Sequence, residues 1–548
     1  MRRYLVVFLT AYFYSAVGFS QPAPESPRLV LVLTIDQMRF DYLTRFDALY
    51  KGGLRTLLDR GAVFTNANYR HAATETGPGH SVMLSGRHPS HSGIIANDWY
   101  DVYLRKTVNV VDDPVQRPIG GAGRAASPAN TLAYTVGDVL KAQSPQSRVV
   151  GVSIKDRSAI LTGGRRADAA YWFENDGGNF ITSTFYMRAA PPWLTAWNER
   201  RFADKFSGQS WTRLIDDTTI YNKYAGEDAM AGERDGKDTT FPHTWRARPP
   251  QTQYFAELRS TPFSDELTLE FAIEAMERHE LGRDVTTDIL AVGFSGTDGV
   301  GHAYGADSHE IMDQMLRLDL VLDRLFKHID STVGVGNTLV VLSADHGSRQ
   351  LVEVQQARGI AARRVPPLVL LKAVNDAFAR NYPGVPGLVS DFATDFYFDL
   401  DVIRRHDLNR KDIEETAIAA LLTTGVVERV FTHDDLRAGN PSSDPFLTLF
   451  QNSFFEPRSP HLTLQLKRDV NLSANVGGTG HGSPYEYDRH VPVIFMGSAV
   501  TPGRYTTPSG PEDIAPTLAR LLGIDFPREW DARLLNEMFS GAAAGGAR

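Results

Sequence analysis

The chain has 548 residues, 42% of them hydrophobic, which is enough for one large elaborated domain or two to three ordinary ones. Its formal charge of −8 argues against a broad surface for nucleic acid, so we expect no nucleic-acid partner. The absence of cysteine excludes disulfides, thiolate zinc sites, iron–sulfur clusters and cysteine nucleophiles.

The first twenty residues have the pattern of a secretory signal peptide. Arg2 and Arg3 give a basic start, an apolar run follows from Tyr4 to Val17, and Gly18-Phe19-Ser20 precede an expected cleavage site. We therefore predict a signal peptide over residues 1–20 and a periplasmic or secreted location. An uncleaved interfacial anchor is the alternative, and no stretch is long and apolar enough to predict a stable membrane span.

The first strand predicted along the chain ends in a carboxylate. Residues 28–35 (RLVLVLTI) favour a buried strand of a parallel sheet, and Asp36 follows directly. In open α/β sheets ligands collect at the carboxyl ends of the strands, so Asp36 is a candidate site residue. Taken alone, it would more often be a helix cap. Residues 54–63 then predict a helix and a short strand.

Thr76 lies where a turn leads into a helix. Gly77, Pro78 and Gly79 follow it, and an apolar-rich run comes next. Unpaired N–H groups and the positive end of the helix dipole favour an anion at a helix start. A hydroxyl there is well placed to attack a phosphoryl group. The alternative is that Thr76 is only an N-cap, which is a common use of threonine.

Two further groups of polar residues come before the middle of the chain. Residues 87–98 form a loop rich in turn-forming residues, and Asn97 lies in it. Residues 148–154 predict another strand, which is followed by Lys155-Asp156-Arg157. Cations at a strand end are usually surface charge, but Lys155 and Arg157 have the charge and hydrogen-bond donors to hold phosphate oxygens.

The second half of the chain has the same organisation. Residues 288–294 predict a buried strand that leads to Asp298 and His302, and residues 310–326 predict an amphipathic helix. Residues 338–342 predict a strand that leads to Asp345-His346, and His481 ends a Gly-rich loop. Residues 491–496 predict the last core strand, and residues 512–522 predict a helix.

Two long segments lack this clear pattern. We predict that residues of about 161–284 and about 349–460 are insertions that decorate one catalytic domain spanning residues 21–548. If the predicted strands belong to one parallel sheet, the polar groups at their ends meet at one edge. Asp and His without thiolates suit a metal such as Zn²⁺.

Six motifs in this order resemble the alkaline phosphatase superfamily: TETGPGH at 74–80, GIIANDWYD at 93–101, SIKDRSAI at 153–160, DGVGHAYG at 298–305, ADHG at 344–347 and GTGHGSPYEYDRHVPVIFMG at 478–497. The likeness runs from about Leu31 to Pro527. Within the superfamily, the chain most resembles the type I phosphodiesterase/nucleotide pyrophosphatase branch. Within that branch, it resembles the phosphate-irrepressible bacterial alkaline phosphatases. The resemblance implies a three-layer α/β/α sandwich around a largely parallel sheet, with inserted cap segments.

The resemblance also implies two Zn²⁺ ions, which polarise the attacking and leaving oxygens of an in-line displacement. One ion would be held by Asp298, His302 and His481, and the other by Asp36, Asp345, His346 and the Thr76 oxygen. Thr76 would be the nucleophile and form a phosphothreonine, while Asn97, Lys155 and Arg157 bind the phosphoryl group. His80, His309 and His490 are expected to be structural residues.

The expected substrates are small phosphate monoesters. A monoester carries about one more negative charge than a diester near neutral pH, because its second pKa is about 6, and the Lys155/Arg157 pair suits that charge. A phosphodiesterase or nucleotide pyrophosphatase on the same scaffold is the alternative. A non-catalytic relative is a third hypothesis, but no ligand or nucleophile is lost here. Sulfatase activity is disfavoured because residues 76–79 (TGPG) do not match the sulfatase nucleophile motif.

Overall fold

The computed structural model describes residues 26–234, 236–244, 247–392, 394–437, 444–527 and 529–539. The predicted signal peptide over residues 1–20 lies outside them. Within the described ranges, no helix combines the length and the apolar character needed to span a membrane.

The strands of the described chain follow in order. They are β1 (Leu29–Ile35), β2 (Ala62–Phe64), β3 (Asp98–Asp101), β4 (Lys106–Asn109), β5 (Pro118–Ile119), β6 (Val149–Ser153), β7 (Ala169–Glu174), β8 (Asn179–Ser183), β9 (Ser210–Trp211), β10 (His243–Thr244), β11 (Asp288–Phe294), β12 (Thr338–Ser343), β13 (Arg363–Val365), β14 (Val389–Phe392), β15 (Phe396–Phe398), β16 (Val427–Thr432), β17 (Leu462–Leu466), β18 (Val470–Leu472), β19 (Val493–Met496) and β20 (Gly503–Tyr505).

The α-helices are distributed along the same ranges. They are α1 (Asp41–Arg45), α2 (Gly53–Arg60), α3 (Thr76–Ser85), α4 (Pro89–Ser92), α5 (Val136–Gln143), α6 (Asp156–Gly163), α7 (Pro192–Glu199), α8 (Thr218–Ala225), α9 (Thr252–Leu258), α10 (Phe263–Arg278), α11 (Gly296–Tyr304), α12 (His309–Thr332), α13 (Val352–Ala357), α14 (Leu368–Asn381), α15 (Leu400–Arg405), α16 (Arg410–Thr423), α17 (His433–Arg437), α18 (Pro445–Ser453), α19 (Glu486–Arg489) and α20 (Ile514–Leu522). Short 3₁₀ turns lie at Asp47–Leu49, Phe202–Phe206, Val335–Asn337, Pro511–Asp513 and Asn536–Met538.

A ten-stranded sheet, in the order β20-β2-β19-β12-β1-β11-β6-β7-β8-β5, is the centre of the fold. The neighbouring strands β12, β1, β11, β6 and β7 are parallel to one another. On either side of them, β19 and β8 run antiparallel. Every residue of β1 and β11 is buried, as expected of strands that are covered on both faces of a sheet.

Helices cover both faces of this sheet. Alternate residues of a strand point to opposite faces. Leu31 and Leu33 of β1 pack in a core that includes Met315 of α12, whereas Val32 packs in a second core that includes Met83 of α3. The arrangement is the three-layer α/β/α sandwich that the resemblance predicts.

The two segments predicted as insertions differ in structure. Part of the first belongs to the central sheet, because the Ala169–Glu174 strand is buried at every position and pairs with β6. The second holds most of a separate four-stranded sheet, β14-β15-β17-β16, with a hydrophobic core of its own around Phe396 and Leu421. The boundaries of a single domain over residues 21–548 remain a prediction.

Candidate active site

Four neighbouring strands deliver charged groups to one edge of the sheet. Asp36 follows β1, Asp298 lies in α11 after β11, Lys155 follows β6, and Asp345 follows β12. The order β12-β1-β11-β6 makes these strand ends adjacent. The convergence expected from the sequence is therefore present in the fold.

A first group of possible metal ligands consists of Asp298, His302 and His481. Helix α11 carries Asp298 and His302 one turn apart, so both point to the same side of the helix. Nε2 of His302 lies 3.1 Å from Oδ1 of Asp298, and Nε2 of His481 lies 3.9 Å from the same oxygen. One ligand atom from each residue falls within 4.8 Å of the others, which suits a single metal ion.

A second group surrounds His346. Its Nε2 lies 3.7 Å from Oδ1 of Asp36 and 3.4 Å from Oδ2 of Asp345. These three atoms are buried, and none of them has a hydrogen-bond partner in the described chain. Asp298 is also close enough to Asp36 and His346 to share a metal with them, so it adjoins both groups.

The orphaned atoms of the second group fit a bound cation. Leaving a buried carboxylate oxygen or imidazole nitrogen unpaired is costly, and a metal ion would satisfy all three atoms at once. Burial, together with the neighbouring Asp36, raises the pKa of Asp345 well above its usual value. The residues present therefore match the chemistry of an oxygen- and nitrogen-ligated metal.

Each of the three histidines is held in the tautomer that a metal requires. The Nδ1 atoms of His302, His346 and His481 lie 2.8 to 2.9 Å from the carbonyl oxygens of Thr479, Gly347 and Thr74, respectively. A carbonyl only accepts, so Nδ1 carries a proton and Nε2 is the ring nitrogen that faces the carboxylates, where it could bind a metal. Burial lowers the pKa of His346 to about 4, which keeps this ring neutral near pH 7.

Lys155 bridges the two groups. Its Nζ lies 2.6 Å from Oδ2 of Asp36 and 2.6 Å from Oδ2 of Asp298. Burial would raise the pKa of Asp298, but Lys155 and His302 hold it well below its usual range. The sequence predicts that Lys155 binds a phosphoryl group, whereas here its ammonium contacts a carboxylate of each ligand group.

Thr76 is the first residue of α3, and its side chain is buried. The N-cap position belongs to Glu75 and makes no side-chain capping bond, so the hydroxyl is not used as a cap. Arg157 donates to Oγ1 of Thr76 over 3.4 Å. A β-carbon at Gly79 would lie 2.2 Å from the carbonyl oxygen of Asp345, so this glycine lets α3 approach the second group closely.

Asn97 is oriented by the residues on both sides of Thr76. The side-chain Oδ1 of Asn97 accepts from the backbone N–H of Gly77 at 2.7 Å, and the backbone N–H of Asn97 donates to Oε2 of Glu75 at 2.7 Å. The carboxamide nitrogen of Asn97 is thereby left to donate to a ligand beside Thr76. Glu75 was not singled out from the sequence, although its place in the TETGPGH motif offered a signal.

Gln37 is a second site residue that no sequence pattern pointed to. Its backbone N–H donates to Oδ1 of Asp345 at 3.0 Å, and its Nε2 donates to Oδ1 of Asp298 at 2.9 Å. It is fully buried and has a φ of +64°, a conformation that is uncommon for residues other than glycine. A β-carbon at Gly301 would lie 1.9 Å from its Oε1, so α11 packs directly on this side chain.

We predict that Gln37→Leu weakens metal binding by about 10- to 100-fold, the usual cost of losing a hydrogen bond that orients a ligand. The substitution removes the donor to Asp298 and keeps a side chain of similar size. Metal retained after dialysis against a graded series of chelator concentrations measures the effect. The exposed Gln253→Leu is the matched control. Equal retention by the two variants would show that Gln37 does not support the site.

The three histidines expected to be structural have other partners. His80 donates from Nδ1 to the Thr76 carbonyl at 2.9 Å, and its Nε2 lies 2.6 Å from Oγ of Ser158. Nε2 of His490 donates to the carbonyl of Thr65, and Nε2 of His309 donates to the carbonyl of Gly226. Among the described residues, none of the three belongs to a candidate metal group.

Comparison with known proteins finds relatives whose similarity to this chain covers nearly its whole length. Alkaline phosphatase PafA of Elizabethkingia meningoseptica is 34% identical over 92% of this chain and 93% of its own length. Alkaline phosphatase PhoV of Synechococcus elongatus is 34% identical over 91% of each chain. A relative from Myroides odoratus, named a calcium-transporting ATPase, is 33% identical over 95% of this chain and 96% of its own length.

The crystal structure of wild-type alkaline phosphatase PafA superposes with a TM-score of 0.88 and 32% identity, covering 94% of this chain and 100% of its own. A PafA variant with substitutions of a threonine, an asparagine, a lysine and an arginine matches equally well. The predicted alkaline-phosphatase-like fold is therefore confirmed. The family model for type I phosphodiesterase/nucleotide pyrophosphatase matches residues 30–486, which confirms a phosphoric ester hydrolase at the level of enzyme class. The chain belongs to the type I phosphodiesterase/nucleotide pyrophosphatase family.

Proposed function

We propose that this protein is a metal-dependent phosphatase that hydrolyses small phosphate monoesters, with Thr76 as its nucleophile. The observation that carries the proposal is the position of the Thr76 hydroxyl. It lies at a helix start within reach of Arg157, and the same helix packs at Gly79 against the backbone of Asp345, whose Oδ2 is buried and unpaired. The names of PafA and PhoV support the same activity.

The proposed metal ligands are those of the two groups around Asp298 and His346. Asp298, His302 and His481 would hold one Zn²⁺, and Asp36, Asp345, His346 and the Thr76 oxygen would hold a second. When bound, the two ions would supply Lewis acidity that lowers the pKa of a hydroxyl and neutralises charge on ester oxygens. The absence of thiol ligands supports this choice, as do the histidine Nε2 atoms that face the carboxylates while each Nδ1 donates to a carbonyl.

The chain's own residues would bind and orient the phosphoryl group. Arg157 already contacts the Thr76 hydroxyl, so its remaining N–H groups are close to the phosphorus that Thr76 attacks. Asn97 presents its carboxamide nitrogen beside Thr76, and Lys155 adds positive charge between the two ligand groups. Donors fixed in advance around a reacting group stabilise its developing charge without further reorganisation.

The reaction would proceed in two displacements. Thr76 Oγ1, after losing its proton to water, bonds to phosphorus as the bond to the alcohol oxygen breaks, and the departing oxygen takes a proton from water, which gives a phosphothreonine and the free alcohol. Water then attacks the phosphothreonine, releases inorganic phosphate and restores Thr76. The PafA variant supports these roles, because its four substituted residue types are those of Thr76, Asn97, Lys155 and Arg157.

The site of action is proposed to lie outside the cytoplasm. The pattern of residues 1–20 supports a cleavable signal peptide and a periplasmic or secreted enzyme. The remaining chain, residues 21–548, is proposed to act as a single catalytic domain with inserted segments.

Substrate charge tests the proposed function. We expect Arg157→Ala to lower the kcat/KM of a monoester about 10²- to 10³-fold, by analogy with the loss of an oxyanion donor at about 2.7–4 kcal/mol. A diester lacks the extra oxygen charge, so its kcat/KM should fall much less. The double variant Lys155→Ala/Arg157→Ala should enlarge the difference.

Metal content separates substrate binding from damage to the site. Lys155 contacts two proposed metal ligands, so its removal has a second route to lower activity, whereas no contact to a proposed aspartate or histidine ligand is described for Arg157. If the Arg157→Ala enzyme keeps its metal and loses monoester and diester activity by the same factor, the phosphodiesterase alternative replaces the monoesterase.

A further inference from the structure

A cavity of about 380 Å³ adjoins the pair of cations proposed to bind the phosphoryl group. Its wall includes Lys155 and Arg157 themselves, the further arginines Arg124 and Arg259, and the side chain of Asn175. The cavity therefore shares part of its wall with the proposed catalytic site.

Arg259 lies on this wall without a carboxylate partner. Its Nη2 donates to the carbonyl oxygens of Ile154 and Phe173 at 2.7 and 2.9 Å. Among the described residues its guanidinium forms no ion pair within 4.0 Å, and its Nε is shielded from solvent without a hydrogen-bond partner. Burial lowers the pKa of Arg259, although Asp156 and Glu174 act from a distance to raise it.

Two other atoms on the wall also lack partners. Nε of Arg157 and Oδ1 of Asn175 are shielded from solvent and have no hydrogen bond in the described chain. The first is a donor on a cation and the second is an acceptor. A ligand that satisfies the wall would bring an anionic oxygen to the arginines and a hydroxyl to Asn175.

Two of the acidic residues in the wall already accept hydrogen bonds from neighbouring groups, and the third is exposed to solvent. Asp156 accepts from the backbone N–H of Arg157 at 2.7 Å and pairs with Arg124 at 3.5 Å. Glu174 accepts from backbone and side-chain N–H groups of the following turn, at Gly177 and Asn179. Asp176 is exposed to solvent. The shielded, unpaired groups are thus two arginine donors and one amide acceptor.

We infer that this cavity binds a second anionic group carried by the alcohol portion of the substrate. The favoured substrates would be phosphate monoesters whose alcohol bears hydroxyl groups and a further phosphate or carboxylate. This inference rests on the proposed function, because it assigns the reacting phosphate to Thr76 and the Nη groups of Arg157, and the second anion to Arg259 and the unpaired Nε of Arg157.

The inference is tested with α,ω-alkanediol bisphosphates of three to six carbons and the matching diol monophosphates. Wild-type enzyme should hydrolyse the bisphosphate of best length with a kcat/KM at least tenfold above its monophosphate, beyond the factor of two for having two reacting groups. Asn175→Asp places a negative charge in the cavity with almost no change of shape. It should reduce the bisphosphate advantage about tenfold and leave the monophosphate within twofold of wild type.

Asn222→Asp is the matched control, because it makes the same change of charge at an exposed position of α8. Arg259→Lys, which keeps the charge but loses the guanidinium geometry, should reduce the bisphosphate advantage. The absence of an advantage at every length, or equal effects of Asn175→Asp and Asn222→Asp, overturns the inference while monophosphate hydrolysis stands. Failure to hydrolyse any monophosphate would instead overturn the proposed function.

Discussion

Replacing Thr76 with alanine is expected to lower kcat for a phosphate monoester by at least about a thousandfold, whereas Thr76→Ser should retain a measurable part of the activity. Removal of a nucleophile that forms a covalent intermediate costs several orders of magnitude. Serine keeps the hydroxyl at the start of α3, where Arg157 reaches it at 3.4 Å. Alanine loses the hydroxyl and little else, since the capping position belongs to Glu75.

Steady-state kinetics and acid-quenched reactions test this prediction together. Quenched wild-type enzyme should carry phosphate on Thr76, and mass spectrometry of the peptide containing residues 74–80 locates it. An unimpaired Thr76→Ala enzyme with its metal content intact, or phosphate found on another residue, would rule out Thr76 as the nucleophile.

Removing the bound metal is expected to abolish turnover, and adding Zn²⁺ should restore it. The site concentrates Asp36, Asp298 and Asp345 with three imidazole nitrogens, and several of these ligand atoms have no other partner in the described chain. Metal that binds only the folded protein also stabilises it, by about 2.7 kcal/mol for each ion at a concentration 100 times its Kd. The melting temperature should therefore rise by about 5 °C or more when Zn²⁺ is added to the apoprotein.

Elemental analysis, activity and thermal unfolding on the same sample distinguish the outcomes. Asp345→Asn should reduce both the metal content and the Zn²⁺-dependent rise in melting temperature, while the exposed Asp59→Asn should change neither. Full activity in protein shown to be free of metal would contradict the proposed metal dependence.

The edge of the sheet where the site lies could be predicted because the strands that lead to it are recognisable as apolar runs in the sequence. The predominantly apolar runs that end at Ile35, Phe294 and Ser343 form buried parallel strands, and the carboxyl ends of such strands lie at a common edge of the sheet. Asp298 and His302 are four residues apart, so a helix alone places them together. The match of six different motifs, in the same order along the chain, then identified the family that the comparisons confirm.

Other features depend on contacts that no local pattern reveals. Gln37 acquires its position from a left-handed backbone and from the glycine at 301 that faces it, and neither is visible in its own sequence neighbourhood. The Ala169–Glu174 strand lacks alternation because both of its faces are buried, so the central sheet extends into a segment predicted as an insertion. The contact of Lys155 with Asp36 and Asp298 likewise arises from the order of the strands.

The most direct test of the central claim compares 4-nitrophenyl phosphate with methyl 4-nitrophenyl phosphate on metal-loaded wild-type enzyme. The two substrates share a leaving group and differ by one methyl ester and by about one negative charge. Hydrolysis of the monoester with a kcat/KM at least about a hundredfold above that of the diester is the predicted result, since Arg157 and Lys155 favour the extra charge. An equal or larger kcat/KM for the diester would contradict a phosphate monoesterase.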